Sequence, residues 1–388
     1  ELVEEFFNSF LEDMKALHMD SVNLYAYATE HLPEIIAQIQ GLIEKGYAYE
    51  SNGNVYFEVG KFPEFGKLSR QDLKKLQPGA RVEVDENKRN VEDFALWKAE
   101  KPGEPSWDSP WGRGRPGWHI EDTAITMTYF GEQYDIHGGA TELIFPHHEA
   151  EIAQAEALTG KKPFVKYWLH TGVLNVEGEK MSKSLKNFWM VQDALKEYEP
   201  EVLRFFLINA HYRSPVDFSN ELLEEAKQGY SRLVETIQNV QFALSRQAEK
   251  EKTIEDEEIE KAIEELKERF VRSMDEDFNT REAISHLFTF STRVNKALSK
   301  GLSRKTLESI LESYRTLGGI LGLFVELTKR DEVLDSLVEF LVEMREKARK
   351  EKNYEVSDEI RERLAGIGIL LEDTKDGPRW KRRQFSPS

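Results

Sequence analysis

Apolar residues recur at helical spacing in two stretches near the start of the chain, within residues 2–11 and 35–43. A stripe that repeats every three to four positions is typical of a helix buried along one face. Gly46 follows the second stripe, at a position where glycine commonly ends a helix. Two β-prone runs then flank Asn52-Gly53, which is a favoured two-residue turn. We therefore predict two helices followed by a β-hairpin.

Residues 60–117 lack periodicity and are rich in glycine, proline and tryptophan, which indicates an inserted module of short strands and ordered loops. Alternation returns in 134–139, a strand that ends in two glycines. Pro146 then opens a helix that runs to about Leu158, and 165–172 form another strand. This strand–helix–strand order predicts a parallel α/β sheet, whose functional groups gather at the carboxyl ends of the strands.

Beyond Val191 the pattern is almost wholly helical. Helical spacing of apolar residues fills 192–210, 219–250, 255–275, 280–299, 304–328 and 332–350. An α-helical bundle accounts for so many successive helices most simply. Residues 353–383 contain one more helix and then Gly366, Gly368 and Gly377, so we expect a small α/β or irregular unit there.

The length of 388 residues is enough for two to four domains, and an apolar content of 39% is enough to build their cores. The sequence contains no apolar run long enough to span a bilayer and no signal-peptide pattern. We therefore expect a cytoplasmic protein that does not associate with a membrane.

Charge and cysteine content narrow the function classes further. A net charge of −18 argues against a general nucleic-acid coat, because such proteins are basic overall. A local basic patch at 379–383 can still contact RNA, although a solvated basic tail is the plainer interpretation of that patch alone. The sequence has no cysteine, which rules out disulfides and thiolate metal sites within the chain.

The most informative chemistry lies in residues 178–185, a glycine-led loop after the apolar run 168–176. Lys180 and Lys183 supply ammonium groups and Ser182 supplies a hydroxyl, and such groups neutralise and hydrogen-bond the oxygens of a polyphosphate. A turn that merely contains two lysines is usually a solvated surface turn. The full Lys-Met-Ser-Lys-Ser string is much rarer by chance, and it favours a nucleotide site.

A second candidate site combines histidine with carboxylate. His147 and Glu151 are four residues apart, so a helix would place both on one face. Imidazole and carboxylate at that spacing can chelate zinc, with Asp122 as a third ligand. An isolated His–Glu pair is far more often an exposed pair without a metal. Gly138-Gly139 would let a backbone approach a ligand closely, or would form an ordinary tight turn.

Taken in order, the motifs of the chain resemble those of the cysteinyl-tRNA synthetases, a family of class I aminoacyl-tRNA synthetases, over essentially all 388 residues. The motifs are 65–69 (FGKLS), 79–82 (GARV), 94–98 (FALWK), 104–107 (EPSW), 109–112 (SPWG), 114–121 (GRPGWHIE), 135–139 (DIHGG), 145–149 (FPHHE), 180–184 (KMSKS), 274–280 (MDEDFNT) and Trp380.

The resemblance implies a fold class: a Rossmann-like α/β catalytic domain, partial and with an inserted connective module, then an all-α helical bundle and a small C-terminal anticodon-binding unit. It places the helical part of the catalytic domain at 1–28, the connective insertion at 29–115, the second catalytic half with the lysine loop at 116–190, a stem-contact region at 191–222, the tRNA-binding bundle at 223–330 and the anticodon-binding region at 331–388.

The resemblance also implies an activity. Members of that family activate cysteine with ATP to cysteinyl-adenylate and pyrophosphate, and then transfer cysteine to the 3′ end of its tRNA. The implied partners are L-cysteine, ATP with Mg²⁺, and tRNA(Cys), and the implied state is a monomer. A zinc ion is also implied. Cysteine and serine differ by one atom, so shape discriminates poorly between them, whereas zinc prefers sulfur to a hydroxyl.

Residue roles follow from the same resemblance. The matching positions are His147, Glu151 and Asp122 for the metal, Trp118 and His137 for the amino-acid pocket, Lys180 and Lys183 for catalysis, Ser182, Lys183, Gly138, Gly139 and Glu142 for ATP, and Arg379, Trp380, Lys381 and Arg382 for tRNA. Asp122 stands where the family usually has a cysteine, and a second family cysteine nearer the N-terminus has no counterpart. The implied metal site therefore contains only nitrogen and oxygen ligands.

The family's first signature, a His-x-Gly-His-like loop, also has no counterpart in the sequence. We expect that an N-terminal part is missing and that residues 1–388 alone do not adenylate cysteine. Two alternatives remain: a non-catalytic tRNA-binding paralogue, and a cysteine ligase that acts on a small amine. The intact lysine loop argues against the first alternative, because a protein without phosphate chemistry does not need it. The helical bundle and Trp380 argue against the second.

Overall fold

The computed structural model describes residues 2–71, 86–176, 178–181, 188–246, 251–325, 327, 332–374 and 377–382. The chain forms two compact units, one of Val22–Val173 and one of Glu1–Ser21 together with Leu174–Ser388. Within the described residues, no helix has the length and apolarity needed to cross a membrane.

The unit Val22–Val173 begins with a helix and an antiparallel sheet. Its first elements are α2 (Leu32–Glu44), β1 (Ala48–Ser51), β2 (Asn54–Phe57), β3 (Phe94–Ala99) and β4 (Gly114–Pro116), with the strands in that spatial order. Asn52 and Gly53 join β1 to β2 with φ of 52° and 75°, and a two-residue hairpin turn of this type needs both angles positive. The predicted hairpin is therefore confirmed.

The same unit continues with α3 (Ile120–Phe130), β5 (Tyr134–Ala140), α4 (Glu149–Thr159) and β6 (Val165–Thr171). Strands β5 and β6 are parallel, which confirms the predicted strand–helix–strand unit. The α-helix begins at Glu149, and residues 144–148 form a wide turn that continues into it. Of these five residues Phe145 is the one outside helical φ/ψ, with φ −132° and ψ 131°, so the helical backbone that leads into α4 starts at Pro146, as predicted.

Helix α4 is buried around most of its circumference and carries three buried glutamates. Glu149 accepts hydrogen bonds from the backbone N–H groups of Gly66 and Ser69, at 3.0 and 2.6 Å. Glu156 accepts one from Phe164 N and pairs with Lys67. A buried carboxylate without hydrogen-bonding or charged partners is costly. Glu149 and Glu156 both have such partners: backbone N–H groups for both, and Lys67 for Glu156. The third, Glu151, faces histidines.

The second unit contains a small sheet and a series of helices. The sheet has the order β8 (Glu179–Lys180), β7 (Leu174–Val176), β9 (Val216–Phe218). The helices are α1 (Leu2–Ala16), α5 (Val191–Glu197), α6 (Pro200–Ile208), α7 (Asn220–Arg246), α8 (Ile254–Asp275), α9 (Thr280–Leu298), α10 (Arg304–Ile320), α11 (Glu332–Lys350) and α12 (Tyr354–Gly366).

Two of the predicted helical segments have different bounds in the structure. The segment 192–210 is two helices, because Pro200 cannot continue α5 and instead begins α6. The segment 304–328 ends at Ile320, and Gly322 follows with φ 68°, in the left-handed region that favours glycine. The remaining boundaries differ from the predictions by a few residues, as is usual for helix ends.

Leu17 directly follows α1 and belongs to the core of the second unit, although it is far in sequence from α6 and α10. Arg204 of α6 donates hydrogen bonds to the backbone oxygens of Leu17 and Leu321, at 2.8 and 2.6 Å. Gln192 also donates to Ser9 Oγ at 2.7 Å. Residues 2–17 are therefore fixed to the helices that follow Leu174.

The end of the described chain is a small α/β unit, as predicted. Strands β10 (Ile369–Thr374) and β11 (Gly377–Arg382) form an antiparallel hairpin beside α11 and α12. Its core contains Val338, Val342, Leu364, Ile369 and Leu371, and Trp380 packs against it, half-buried.

Asp256, at the start of α8, offers a test of stability. Its carboxylate accepts hydrogen bonds from the N–H groups of Thr253 and Ser303, both at 2.8 Å. Burial alone would raise the pKa of Asp256, but the hydrogen bonds from Thr253, Thr306 and Ser303 outweigh it and hold the pKa well below its usual range. We expect Asp256→Ala to lower the free energy of unfolding by about 2–3 kcal/mol, because two backbone donors lose their acceptor.

The pH dependence of this loss has a fixed sign. A carboxyl group whose pKa is lower in the folded than in the unfolded protein stabilises the fold. This stabilisation is fully present above the ordinary pKa of 3.8 and is lost as the pH falls towards the folded-state pKa. Urea unfolding of the wild type and Asp256→Ala should therefore show the largest difference at pH 7 and a smaller one at pH 3. An equal difference at both pH values would contradict this account.

Candidate functional site

Polar side chains meet where β5, the start of α3 and the start of α4 come together. His119 is the residue before α3 and has a left-handed backbone, with φ 54°. Asp122 lies in the first turn of α3, His137 lies on β5, and Glu151 lies in the first turn of α4. His148 is the last residue before α4. The cluster therefore lies beside a strand of the parallel pair.

Glu151 is the centre of this cluster and is only 1% exposed. Its Oε1 is 2.9 Å from His119 Nδ1 and 4.0 Å from His148 Nε2. Its Oε2 is 3.6 Å from His137 Nε2. A single buried carboxylate thus faces three imidazoles, which is a dense collection of metal-ligating groups.

The histidines on the two sides of Glu151 differ in the direction in which their pKa values are shifted. Burial raises the pKa of Glu151 to about 7, against the lowering effect of its hydrogen bond with His119. Burial would lower the pKa of His119, but its hydrogen bonds to Asp122 and Glu151 and their charges raise it to about 10. His119 is therefore a cation held by two carboxylates.

The opposite side of the cluster is neutral. Burial and the neighbouring histidines lower the pKa of His148 to about 3, and burial also lowers the pKa of His137. Both rings are therefore uncharged imidazoles at neutral pH, with a lone pair available. Such rings are the form in which histidine binds metals.

Trp118 and His147 form the edge of the cluster. Their rings are stacked with centroids 4.6 Å apart and planes 24° apart, and Trp118 is 37% exposed. His147 Nδ1 lies 2.6 Å from His119 Nε2, so one ring nitrogen donates to the other. An exposed aromatic face beside buried polar groups suits a small ligand with both an apolar and a polar end.

Sequence reasoning missed several residues of the site. Trp168 lies 4.7 Å from His137 and 5.0 Å from His148, measured between ring centroids. His170 Nε2 lies 2.9 Å from His148 Nδ1. One available signal was the register of a parallel pair: Trp168 and His170 are two residues apart on β6, and they lie opposite His137 and Gly139 of β5.

The structure only partly assembles the predicted metal set. The ligand atoms of Asp122 and Glu151 lie with His119 in one group, all within 4.8 Å of one another, and His137, His148 and Glu151 form another such group. Within the described residues His147 belongs to neither group. The Nδ1 atom of His147 lies 2.6 Å from His119 Nε2, so this ring nitrogen is taken up by a second imidazole.

The predicted ATP residues are spread over both units. Gly138 and Gly139 lie near the end of β5, and Glu142 is exposed in the turn that follows. Lys180 is exposed on β8. Ser182 and Lys183 lie outside the described residues.

The predicted tRNA residues lie on β11. Trp380 packs partly against the small core, and the Arg379 guanidinium lies 5.5 Å from the centre of the Phe242 ring. Lys381 and Arg382 complete the strand.

Known proteins resemble this chain along nearly all of its length. Residues 1–228 match the model of the class I (C) tRNA synthetase catalytic domain, and residues 269–325 match the DALR domain. A cysteine–tRNA ligase of Thermococcus onnurineus is 48% identical over 387 residues, which cover 98% of this chain and 81% of that relative. A cysteine–tRNA ligase of Geobacillus sp. (strain WCH70) is 47% identical over 382 residues, with coverage of 98% and 81%.

Among solved structures, a methionyl-tRNA synthetase of Mycobacterium tuberculosis in complex with methionyl-adenylate matches with a TM-score of 0.56 and 16% identity, covering 81% of this chain and 76% of that one. This likeness concerns the fold alone. With the two domain matches it confirms the predicted fold class of a Rossmann-like catalytic domain followed by a helical anticodon-binding domain. Identity near 48% over almost the whole chain goes further, and the chain belongs to the cysteine–tRNA ligase family of class I aminoacyl-tRNA synthetases.

Proposed function

We propose that this protein activates L-cysteine with ATP and transfers it to the 3′ end of tRNA(Cys). Family membership supports the reaction, and the observation that carries the choice of amino acid is the buried cluster around Glu151. Trp118 offers a partly exposed aromatic face, and the neutral rings of His137 and His148 lie on the other side of Glu151. A small substrate side chain that ends in a soft, ionisable atom, as that of cysteine does, suits a pocket lined by these groups.

Zinc fits the chemistry of this cluster. Imidazole nitrogens and carboxylate oxygens are both zinc ligands, and two groups of three donors converge on Glu151. When bound, zinc supplies a Lewis acid that binds a thiolate in preference to a hydroxyl. The metal residues expected from the family are Asp122, His147 and Glu151, and the neutral rings of His137 and His148 are neighbours that can also ligate.

The adenylation step follows from charges that the substrates already carry. The cysteine carboxylate is ionised and attacks the α-phosphorus of ATP, and the bond to the β-phosphate oxygen breaks to release pyrophosphate. Lys180 and Lys183 neutralise charge on the phosphates, and Mg²⁺ accompanies ATP. We also assign Gly138, Gly139, Ser182 and Glu142 to ATP binding, as the family resemblance implies. The attacking group needs no general base, and we assign none.

The transfer step requires bound tRNA, and the residues that we assign to tRNA binding lie near the C-terminal end of the described chain. The terminal hydroxyl of the tRNA attacks the carbonyl carbon of cysteinyl-adenylate, and AMP leaves. We assign Arg379, Trp380, Lys381 and Arg382 to tRNA binding, because aromatic and basic side chains together stack on and neutralise unpaired nucleotides. Trp380 is half-buried against the small core, so only its exposed part is available to a base.

Three assays on the gene product test the proposal against its main alternative. Cysteine-dependent exchange of pyrophosphate into ATP measures activation, aminoacylation measures the charging of tRNA(Cys), and filter binding compares tRNA(Cys) with a non-cognate tRNA. Exchange with cysteine but not serine, together with charging of tRNA(Cys), is the expected result. Tight and selective tRNA(Cys) binding without any exchange would favour the non-catalytic paralogue.

Lys183 provides a test of the lysine loop. Because its charge is assigned to the phosphates, we expect Lys183→Ala to lower the rate of cysteine-dependent pyrophosphate exchange by about 100-fold, the scale seen when one transition-state donor is removed. The affinity for tRNA(Cys) should stay within about twofold. Lys166→Ala is the matched control, because Lys166 is paired with the exposed Asp135 and has no assigned role at the phosphates. An unchanged exchange rate would remove Lys183 from the catalytic residues.

A further inference from the structure

Lys180 stands at the end of a very small hairpin. Strands β7 and β8 pair antiparallel over two residues, with Asn175 opposite Lys180 and Val176 opposite Glu179. Both residues of β8 are exposed, and a short hairpin of this kind has little stability of its own. The position of Lys180 therefore depends on what holds the turn between the two strands.

Gly178 lies in that turn with a left-handed backbone, at φ 79°. A Cβ on Gly178 would meet no atom of the described residues within 4 Å, so packing at this position does not fix the turn. The contact that holds it is polar, because Gly178 N donates a hydrogen bond to Asp217 Oδ1 at 2.9 Å. A hydrogen bond from a backbone N–H to a carboxylate is charge-assisted and is roughly twice as strong as a neutral one.

Asp217 reaches the turn from a different strand. It is the middle residue of β9, which lies on the other side of β7 and runs parallel to it, with Asp217 opposite Asn175. Asp217 is half-buried, whereas Gly178 is exposed. The side chain of Asp217 therefore ties the turn to a strand that is not part of the hairpin.

Strand β9 is itself held by the core of the second unit. Phe218, which follows Asp217, is 7% exposed and belongs to that core. Its ring meets the rings of Trp189 and Phe206 edge to face, with centroids 5.1 and 5.6 Å apart. The backbone of Asp217 therefore has a fixed place before any nucleotide binds.

The motif 274–280 supports the segment that leads into β9. Asp277 accepts hydrogen bonds from Tyr212 Oη at 2.7 Å and from Arg213 Nη2 at 3.1 Å. Asp277 and Phe278 both have left-handed backbones, with φ of 59° and 54°, which costs free energy in residues other than glycine. Such strain persists only where the surrounding contacts hold it, and here those contacts fix the chain just before β9.

We propose that Asp217 is a positioning residue for adenylation, which holds Gly178 N and thereby directs Lys180 towards the phosphates of ATP. This role rests on the proposed function, because that function assigns Lys180 to the phosphates. Asp217 acts through the turn and not on the substrate itself. The motif 274–280 then has a role as well, since Asp277 steadies the segment before β9.

Hydrogen–deuterium exchange in the full gene product tests the turn without reference to catalysis. We expect Asp217→Ala to speed exchange at Gly178 N–H by about 2–10-fold, the factor that corresponds to the net strength of one hydrogen bond. Asp217→Asn keeps an oxygen acceptor and should stay within about twofold of the wild type. Exchange in α10 should be unchanged in both variants. An unchanged rate at Gly178 in a folded Asp217→Ala protein would overturn the proposal.

Circular dichroism accompanies each measurement, because Asp217 is half-buried. If Asp217→Ala does not fold, Asp217→Leu replaces it, since leucine keeps much of the volume and removes the acceptor. The same faster exchange at Gly178 N–H is expected of that variant.

A double-mutant cycle shows whether Asp217 acts through Lys180. We expect Asp217→Ala to lower kcat for cysteine-dependent pyrophosphate exchange by about 2–10-fold, with the KM for cysteine within about twofold, and Asp217→Asn to restore most of the loss. In a Lys180→Ala background the same substitution should change kcat by less than about twofold, because a residue that works through another has no further effect once that residue is gone. Equal losses in both backgrounds would overturn the proposal.

Asp193→Ala is the matched control for this cycle. Asp193 is an exposed aspartate of α5 that pairs with Lys196, and it has no assigned role at the phosphates. Its loss should leave kcat unchanged in both backgrounds.

The two measurements separate the role of Asp217 from the proposed function. A wild type without cysteine-dependent pyrophosphate exchange contradicts the proposed function, and hydrogen–deuterium exchange at Gly178 then alone decides whether Asp217 holds the turn. An active wild type, with Asp217→Ala unaffected in both measurements, contradicts only the role of Asp217.

Discussion

Glu151→Gln is expected to lower the rate of cysteine-dependent pyrophosphate exchange by more than about 100-fold, because even second-shell changes around a metal cost 10–100-fold. The carboxylate is the member common to both donor groups, and it is almost completely buried. Glutamine preserves the shape and removes the charge. His119 then loses one of the two carboxylates that hold its proton, and the neutral imidazoles lose the anion that they face.

The control for Glu151→Gln is the same substitution at a glutamate outside the cluster. Glu132→Gln removes an exposed carboxylate that pairs with Lys161, and surface pairs of this kind contribute about 0–1 kcal/mol. Exchange and unfolding should both be unchanged in that variant. If Glu151→Gln keeps near wild-type exchange, the cluster has no part in activation and the site must be sought elsewhere. The KM for ATP serves as an internal check, since only the cysteine side is altered.

Gly139→Ala is expected to destabilise the protein by about 1–3 kcal/mol, the usual cost of forcing a methyl group into a packed interior. The new Cβ would lie 2.7 Å from His148 Cε1, 3.1 Å from its Nε2 and 3.2 Å from Leu143 Cδ1. The imidazole must shift, and its bond to His170 and its direction towards Glu151 shift with it. We therefore also expect a higher KM for cysteine.

The neighbouring glycine gives a matched comparison. Among the residues that the structure describes, a Cβ on Gly138 would meet nothing closer than the Leu169 carbonyl oxygen at 4.0 Å. Gly138→Ala should therefore leave the free energy of unfolding within about 0.5 kcal/mol of the wild type, or raise it slightly by restricting the unfolded chain. Denaturant unfolding of the two variants checks the contrast. Equal stability of both would show that the space around His148 is not restrictive.

The sequence predicted what depends on local pattern. The Asn52-Gly53 hairpin, the strand–helix–strand unit and most helices of the second unit follow from apolar spacing and turn residues. The extended backbone of Phe145 did not follow, because it depends on packing that no spacing rule contains. The contact of His147 Nδ1 with His119 Nε2 did not follow either, because the two residues are 28 positions apart in the sequence.

Only part of the donor cluster could be predicted from the sequence, again because spacing rules do not contain tertiary packing. Asp122, His137 and Glu151 were found through motifs, and each lies in the cluster. His119 and His148 stand next to predicted residues but were passed over, since the chemistry depends on which of two adjacent side chains turns inward. The backbone settles this: His119 has a left-handed φ, and His148 ends the wide turn before α4. Predicted residues 182 and 183 lie outside the described residues and stay predictions, as do the domain bounds.

The hydrogen bonds of Arg204 and Gln192 to Leu17 and Ser9 join positions 187 and 183 residues apart in the chain. The stretch Val22–Val173, by contrast, is one continuous unit. On a ribosome, chains emerge from the N-terminus and domains generally fold as units. The continuous stretch can therefore complete its fold while α1 is still waiting for α6 to be made, so α1 reaches its permanent neighbours only after a segment that is translated later than that whole unit.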